Sequence, residues 1–393
     1  MTAEIVELAQ QLIRRPSRGG IDDYAPVLGV LEDWLTTREL PHRRLYGEGG
    51  GLTGLLVEVS GGLPGPWWAL DACVDTAPYG DEGAWSFPPD CGDVVDGWLR
   101  GRGAADSKLA AAMFCDIAAK LHGRTFHGGL AVLLDVDEHT GGFGGARAYL
   151  ADPAAVRPAG VMIGYPGPAE VVVGGRGFWR ATIAVHAESG HSGARRTTPG
   201  AVSRAARLVR LLEESELPGA HGEFPLPPKL TVTSIRGGEG FSVVPDRCEV
   251  GVDIRTTPTF DARAAEALVR AATAELGTPA TVTPVASWPP FRLAEDEQPA
   301  AALLDAAARA GLTVRAKTAG PSNIGNLLAA EGIPATAGFG VRYEGLHSTD
   351  ERACLADLRT VHAVYREAVR HLLAPQRGAG NCATSPHCCP ADN

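Results

Sequence analysis

The stretch WWALDACVDTAP, residues 67–78, is an apolar run that turns acidic where it ends. LAVLLDVDEH, residues 130–139, has the same form, and both stretches predict buried strands. Between them, apolar residues at four-residue spacing over 109–117 predict a helix directly after GRGAADSK, residues 101–108. Strands that alternate with helices predict an α/β fold with a mixed, largely parallel sheet flanked by helices. Such a sheet binds its ligands beyond the carboxyl ends of its strands.

A second pattern of elements interrupts this alternation after about residue 175. Its order is strand, helix, two strands, helix and strand, which is that of a ferredoxin-like βαββαβ sandwich. These elements are predicted at 180–186, 200–214, 230–235, 248–254, 260–276 and 280–287. Alternating strands and helices then resume and end in a long helix from about 350 to 373. The predicted divisions are a first domain at 1–175 and 289–375, an inserted domain at 176–288, and a disordered tail at 376–393.

The composition of the 393-residue chain excludes several classes of function. Its formal net charge is −10 and it has no basic stripe, which disfavours nucleic-acid binding. No apolar run reaches the roughly 18 residues that a membrane span needs, and the N-terminus lacks the order of a secretory signal. Five of the cysteines are scattered singly, which does not predict a disulfide framework. We therefore expect a cytoplasmic protein without a nucleic-acid or membrane partner.

Four segments collect polar residues at predicted strand ends. They lie at 71–75, at Asp106, at 137–139 and at 345–347. Acidic residues after a strand are most often turn formers or helix caps, so each segment alone is a weak signal. Their joint occurrence, with His and Cys among them, favours a metal or catalytic site at one edge of the sheet.

Several motifs, taken in their order along the chain, indicate a more specific resemblance. They are CVDTAP at 73–78, the long block ending in GRGAADSK at 108, DEHTGG at 137–142, SGHSGARRTTPG at 189–200, SVVPDRCEVGVDIR at 242–255 and GLHSTDE at 345–351. Over roughly residues 3–373 the chain resembles the co-catalytic zinc metallopeptidase and amidohydrolase family. This family includes acetylornithine deacetylase, succinyl-diaminopimelate desuccinylase, aminoacylase and glutamate carboxypeptidase. The resemblance implies that the inserted domain is a lid or dimerisation domain and that the protein is a homodimer.

The resemblance implies roles for five residues of the predicted site. Asp106 matches the carboxylate that bridges two metal ions, and His347 matches the last histidine ligand. The family's Glu-Glu pair is Glu138, in the position of the general base, followed by His139 in the position of a metal ligand. Asp75 matches the aspartate that orients a ligand.

Other positions depart from the family pattern or concern the substrate. Cys73 stands where the family has its first histidine ligand, and Tyr165 stands where it has a carboxylate ligand. We interpret Tyr165 as a wall residue or hydrogen-bond donor toward the substrate. His191 matches the lid histidine that helps to hold the substrate carbonyl. Arg255 matches a residue that often pairs with a substrate carboxylate.

These substitutions bear on the number of metal ions. Two imidazoles and a carboxylate suit a catalytic zinc ion, and a Cys73 thiolate is a good soft ligand. Tyrosine is a poor ligand because its phenol loses a proton only near pH 10. The residues favour one zinc ion, held by Asp106, His139 and His347 with Cys73 as a further candidate, over two ions. A site without metal is the alternative.

Three functions follow from this set of residues. The first is metal-assisted hydrolysis of the amide bond of an N-acyl amino acid or a small peptide-like substrate, with Glu138 as general base. The second keeps the fold without the metal and catalyses acyl transfer, amide formation or cyclisation in a biosynthetic pathway, with Cys73 as a nucleophile. The third is an inactive homologue that binds a ligand in the cleft, which the retained Glu138 argues against.

Overall fold

The computed structural model describes residues 2–195, 198–222, 224–321 and 323–375. The predicted tail at 376–393 lies outside the described residues. The helices are α1 (Thr2–Ile13), α2 (Ala25–Thr37), α3 (Leu109–Leu121), α4 (Gly144–Ala151), α5 (Ala201–Glu213), α6 (Ala262–Glu275), α7 (Ala300–Arg309), α8 (Ile324–Ala330) and α9 (Leu358–Leu372). None of these helices is both long and apolar enough to cross a membrane, as far as the described ranges extend.

Among the described residues, the strands form one large nine-stranded sheet, two separate four-stranded sheets and one two-stranded sheet. In chain order they are β1 (His42–Tyr46), β2 (Leu52–Ser60), β3 (Gly62–Cys73), β4 (Val94–Val95), β5 (Trp98–Arg100), β6 (Phe126–Asp135), β7 (Val161–Ile163), β8 (Glu170–Gly175), β9 (Gly177–His186), β10 (Gly190–His191), β11 (Lys229–Gly237), β12 (Val243–Val244), β13 (Arg247–Thr256), β14 (Ala280–Trp288), β15 (Phe291–Arg292), β16 (Arg315–Ala319), β17 (Ala335–Ala337), β18 (Tyr343–Glu344) and β19 (Arg352–Cys354).

The large sheet runs in the order β1-β2-β6-β3-β7-β17-β8-β15, with β16 beside β8. Its centre, from β6 to β17, is parallel, and the pairs flanking that centre are antiparallel. One core of buried residues packs α1, α2, α3, α7 and α9 on one face, and a second core packs α4 and α8 on the other. Strands that are covered on both faces need continuous apolar runs, which β6 has from residue 130 to 134. The prediction of a mixed α/β sheet flanked by helices is confirmed.

The second sheet has the antiparallel order β11-β13-β9-β14. This is the order second, third, first and fourth strand of the predicted βαββαβ unit, as in a ferredoxin-like sandwich. Helices α5 and α6 cover one face, where alternate residues of β9 and β13 are buried. The other face of the sheet carries no helix of this unit, and its residues from β9 and β13 line the cavity described below.

The predicted long helix at 350–373 is wrong in its first third. Residues Arg352–Cys354 form strand β19, which pairs with β5, and the helix begins only at Leu358. The pairing joins segments about 250 positions apart, so local periodicity did not indicate it. The resulting small sheet has the order β18-β19-β5-β4. Its strands β18 and β5 shortly precede the segments that carry His347 and Asp106.

Candidate active site

Neighbouring parallel strands of the large sheet end at one edge, and the candidate site lies just beyond them. Cys73 is the last residue of β3, and Asp75 follows two residues later. β6 ends at Asp135, and the turn after it carries Glu138 and His139. Because β3 and β6 are hydrogen-bonded to each other in parallel, the sheet brings these four predicted site residues to the same edge.

Two predicted site segments do not follow strands of this sheet, so that part of the sequence interpretation is wrong. Asp106 lies in a kinked turn at Ala104–Lys108, directly before α3. His347 follows the two-residue strand β18 in the small sheet. Both side chains still reach the edge of the large sheet, because Oδ2 of Asp106 lies 3.5 Å from Nε2 of His139 and 2.9 Å from Nε2 of His347.

One carboxylate oxygen lies between two imidazole rings at this edge. Oδ2 of Asp106 is 2.9 Å from Nε2 of His347 and 3.5 Å from Nε2 of His139. Both ring nitrogens of His139 are buried and form no hydrogen bond with any described residue. A tetrahedral zinc ion with bonds of about 2.1 Å holds its ligands about 3.4 Å apart. The donor types and their spacing therefore fit a zinc ion with one open position.

Asp75 lies on the opposite side of the His139 ring. Its Oδ2 is 3.5 Å from Nδ1 of His139 and accepts the backbone N–H of His139 at 3.0 Å. Its Oδ1 accepts the backbone N–H of Glu138 at 3.2 Å. A carboxylate behind a ligating imidazole fixes its tautomer and orientation. Sγ of Cys73 also lies within 4.8 Å of ligand atoms of Asp75 and His139, so this side offers a thiol as a further donor.

The charges of the group depend on one another. Burial alone would lower the pKa of His139, but Asp106 and Asp75 raise it to about 11. Burial alone would raise the pKa of Asp106, but His139 and His347 outweigh that effect and hold it below its usual range. His139 is therefore an imidazolium beside carboxylates until an ion binds, and binding of a metal ion would release its proton.

The thiol of Cys73 and the phenol of Tyr165 are protonated in this environment. Burial raises the pKa of Cys73 well above its usual range, and the carboxylates of Asp106 and Glu138 raise it further. Burial also raises the pKa of Tyr165, again with help from Asp106. A protonated thiol is a weak nucleophile, and a protonated phenol donates hydrogen bonds rather than binding a cation.

Glu138 has the environment of a general base. Burial raises its pKa to about 8; the charge of His139 opposes this rise, and Asp106 and Asp75 add to it. The side chain lines the cavity in front of His139 and keeps about a fifth of its surface exposed. A carboxylate that accepts protons near neutral pH is suited to moving a proton during catalysis.

A buried ion pair holds the turn that carries Asp106. Nη1 of Arg102 bonds Oε2 of Glu351 at 2.6 Å, and both side chains are almost fully buried. Oε1 of Glu351 accepts backbone N–H groups of Gly103 and Ala105 at 3.1 and 3.0 Å, and that of Asp106 at 3.3 Å. Glu351 therefore fixes the backbone on which Asp106 stands.

A cavity of about 580 Å³ opens in front of these residues, between the large sheet and the uncovered face of the second sheet. Residues near the large sheet and residues of the second sheet line it, including Glu138, His139, Phe143, Phe178, Arg180, Arg255 and His347. Ligand sites commonly lie in such a cleft between domains, where a few polar groups converge on a partly apolar wall.

The wall that the second sheet forms carries two guanidinium groups that share one carboxylate. Arg255 bonds Oδ1 of Asp253 through Nε at 2.9 Å, and Arg180 bonds Oδ2 through Nε at 2.7 Å. Sequence reasoning named Arg255 but missed Arg180. The burial pattern of β9 puts Arg180 on the uncovered face, and this face is known only from the packing of the sheet.

His191 lies away from this cavity. It belongs to the two-residue strand β10, is exposed, and its Nδ1 accepts the backbone N–H of Gly193 at 3.0 Å. It is not among the residues that line the cavity. The structure therefore brings Arg255 to the candidate site but not His191.

Hydrolases with a mixed α/β sheet and a histidine–carboxylate site at its edge are the class that this fold and this group of residues indicate. The comparisons with known proteins agree. Succinyl-diaminopimelate desuccinylase of Halorhodospira halophila is 28% identical over 394 residues, which cover 94% of this chain and 98% of the relative. An M20 family metallo-carboxypeptidase from Sulfolobus solfataricus superimposes with a TM-score of 0.77 at 13% identity, covering 94% of this chain and 99% of the other.

A dinuclear metal-binding M20 peptidase from Bacillus subtilis superimposes with a TM-score of 0.70 at 17% identity, covering 95% of this chain and 98% of the other. The model of peptidase family M20/M25/M40 matches residues 69–371. The chain belongs to this family, which confirms the resemblance inferred from its motifs. It is accordingly an enzyme, a hydrolase of amide bonds in a metal-dependent family.

Proposed function

We propose that this enzyme is a zinc-dependent amidohydrolase that cleaves the amide bond of an N-acyl amino acid or a small peptide-like substrate. The proposal assigns one zinc ion to Asp106, His139 and His347, with Cys73 as a further candidate ligand. The observation that carries it is the buried ring of His139. Its Nε2 has no hydrogen bond among the described residues and lies 3.5 Å from Oδ2 of Asp106.

The roles of the protein groups follow from their positions. A zinc ion at this site would supply Lewis acidity and lower the pKa of water. Glu138 takes a proton from the attacking water, whose oxygen forms the new bond to the acyl carbon. As the carbon–nitrogen bond breaks, Glu138 returns that proton to the leaving nitrogen. Asp75 holds the ring of His139 in the orientation that the proposed binding of zinc by His139 would require.

The substrate class rests on the relatives and on the cavity wall. Desuccinylases among the relatives remove an acyl group from an amino acid, which favours an N-acyl amino acid for this chain. Arg255 would bind a carboxylate of such a substrate. Tyr165 is not among the residues that line the cavity, and its protonated phenol would donate a hydrogen bond only to a substrate that reaches it. His191 would reach the substrate carbonyl only after lid closure or from a second copy of the chain. The cytoplasmic location, the homodimer and the domain boundaries at 175/176 and 288/289 are part of this proposal.

Metal-free catalysis through Cys73 is disfavoured by the raised pKa of its thiol. The decisive experiment measures hydrolysis of a panel of N-acyl amino acids with and without a chelator. We expect the chelated enzyme to lose activity and zinc to restore it. Activity that survives chelation, together with an acyl adduct on Cys73, would instead support acyl transfer.

Replacement of the general base tests the role of Glu138. We expect Glu138→Gln to lower kcat by about 10²- to 10⁴-fold, because the amide cannot accept the proton. The zinc content should stay unchanged, since Glu138 is not a proposed ligand. Metal analysis beside steady-state kinetics checks both parts. A variant with normal turnover would contradict this role of Glu138.

A further inference from the structure

Arg180 lies on the uncovered face of the second sheet, opposite the turn after β6 that carries Glu138 and His139. It belongs to β9, where it pairs in register with Asp253 of β13. It lines the same cavity as Glu138 and His347. The mechanism proposed above uses neither its charge nor its hydrogen-bond donors.

The guanidinium of Arg180 is fixed on two sides. Its Nε donates to Oδ2 of Asp253 at 2.7 Å, and its Cζ lies 4.3 Å from the ring centroid of Phe178. The ring therefore supports one face of the guanidinium plane. Its two terminal nitrogens form no hydrogen bond with any residue in the described ranges. About a third of the side chain is exposed, so these donors are open to the cavity.

These terminal nitrogens are directed across the cleft. Nη1 of Arg180 lies 3.3 Å from the position that a Cβ atom on Gly141 would occupy. Gly141 belongs to the turn that carries Glu138 and His139. Arg180 therefore reaches from the second domain to the loop that holds the proposed base and a proposed metal ligand.

The charges of this wall favour an anionic group. Arg180 bonds Oδ2 of Asp253 through Nε, and Arg255 bonds Oδ1 through Nε and Oδ2 through Nη2, the last at 3.4 Å. Asp253 therefore orients both guanidinium groups but cannot occupy the terminal fork of Arg180. A fixed planar fork of two N–H donors matches the two oxygens of a carboxylate.

We propose that Arg180 is a specificity-determining residue that binds a second carboxylate of the substrate, besides the one assigned to Arg255. The preferred substrates are then N-acyl amino acids with two carboxylates, the second on the acyl chain or on the amino-acid side chain. This inference rests on the proposed function, because it concerns the substrate of the same site.

The kinetic test compares substrates that differ in a single carboxylate. One pair is an N-glutaryl amino acid and its N-valeryl counterpart, and the other is an N-acetyl amino acid with a glutamate or a glutamine side chain. For the preferred dicarboxylate, Arg180→Met should raise KM by about 10- to 100-fold with little change in kcat. The counterpart without the second carboxylate should be almost unaffected. The pair that responds identifies which half of the substrate carries the carboxylate.

Two further variants separate recognition from folding. Arg180→Lys keeps the charge but loses the fork, so its KM should lie between those of the wild type and Arg180→Met. Arg236→Met removes an exposed arginine of the same sheet that does not line the cavity. It should leave the KM unchanged for both members of each substrate pair. The proposal would be overturned if Arg180→Met raised KM equally for both members of each pair, or if it lowered kcat and left KM unchanged.

A binding measurement keeps this inference distinct from the proposed function. Titration calorimetry with glutarate and with valerate needs no turnover. The wild type should bind glutarate more tightly, and Arg180→Met should lose that preference. If the wild type hydrolyses none of the substrates but this preference is present, the proposed reaction fails while the role of Arg180 stands. If the wild type binds both acids equally, and neither substrate pair distinguishes Arg180→Met, the role of Arg180 is wrong.

Discussion

His139 is the residue on which the account of the site depends. Its two ring nitrogens face different carboxylates, with Nε2 toward Asp106 and Nδ1 toward Asp75, each at 3.5 Å. The arrangement assigns a separate task to each nitrogen. One nitrogen is placed to bind an ion, and the other is placed to donate its proton to Asp75.

Removal of the carboxylate behind His139 tests this division of tasks. We expect Asp75→Ala to weaken zinc binding by about 10- to 100-fold, because the ring loses the group that orients it. Competition with a chromogenic chelator measures the affinity. Asp305→Ala, which changes an exposed aspartate of α7, is the matched control and should bind zinc as the wild type does. An unchanged affinity in Asp75→Ala would contradict the role of Asp75.

The sequence indicated the site residues that stand in motifs, and it could not indicate those that only the tertiary structure assembles. Asp75, Glu138 and His139 follow strands whose apolar runs are visible in the sequence. Arg180 is one arginine among many in a domain whose uncovered face is known only from its packing. The motif at His191 was visible too, but its distance from the cavity depends on how the domains are arranged.

At the level of elements, the turn before α3 carries Asp106, and helix packing keeps that helix in place. A buried contact joins α3 to α9, where Nε2 of His362 lies 2.6 Å from Oδ2 of Asp116. Lys120 pairs with the same carboxylate. Burial alone would raise the pKa of Asp116, but His362 and Lys120 outweigh it and hold the pKa below its usual range.

This lowered pKa predicts a pH-dependent contribution to stability. The folded state binds the proton of Asp116 more weakly than the unfolded state, so the stabilisation is present above about pH 4 and is lost as the pH falls further. We expect Asp116→Asn to lower the free energy of unfolding by about 1–3 kcal/mol at pH 7. Urea unfolding at pH 7, 5 and 3 measures the difference in free energy of unfolding between wild type and variant, which should narrow only at pH 3. If the difference in free energy of unfolding widened at the lowest pH, the predicted direction of the pH dependence would be wrong.

The elements themselves were predictable where their pattern is local. The βαββαβ order and the buried strands β3 and β6 have periodicities that the sequence displays. Strand β19 was missed because its partner β5 is distant in the chain. Its three residues also differ little in polarity from the start of the helix that follows. The turn at Ala104–Lys108 could not be foreseen either, since Glu351 supplies the acceptor for its backbone N–H groups.

For the molecule as a whole, the proposed catalytic residues and the substrate-binding arginines lie on opposite walls of the cavity between the large sheet and the second sheet. The turn after β6 of the large sheet supplies Glu138 and His139, and the segment after β18 of the small sheet supplies His347. The second sheet supplies Arg180 and Arg255 on the facing wall. A movement of one domain against the other would change the distance between these walls without altering either one. Lid closure of this kind commonly completes an active site.

The role of His191 belongs to this scale, because the residue lies outside the cavity. We expect His191→Ala to lower kcat by about 10²- to 10³-fold through the loss of a group that stabilises the tetrahedral oxyanion. The zinc content should stay that of the wild type, and His122→Ala, an exposed histidine after α3, should change neither quantity. Kinetics and metal analysis of the same preparations check this. Loss of zinc in proportion to activity would contradict a role confined to the substrate.

The metal content of the purified enzyme tests the central claim most directly. After equilibration with zinc and removal of the excess, mass spectrometry of the metal should find about one zinc ion per wild-type chain, and much less in a folded His347→Ala variant. The same wild-type preparation should lose amide hydrolysis when the ion is removed. A wild-type chain that retains no zinc and still hydrolyses its substrate in the presence of EDTA would contradict the account.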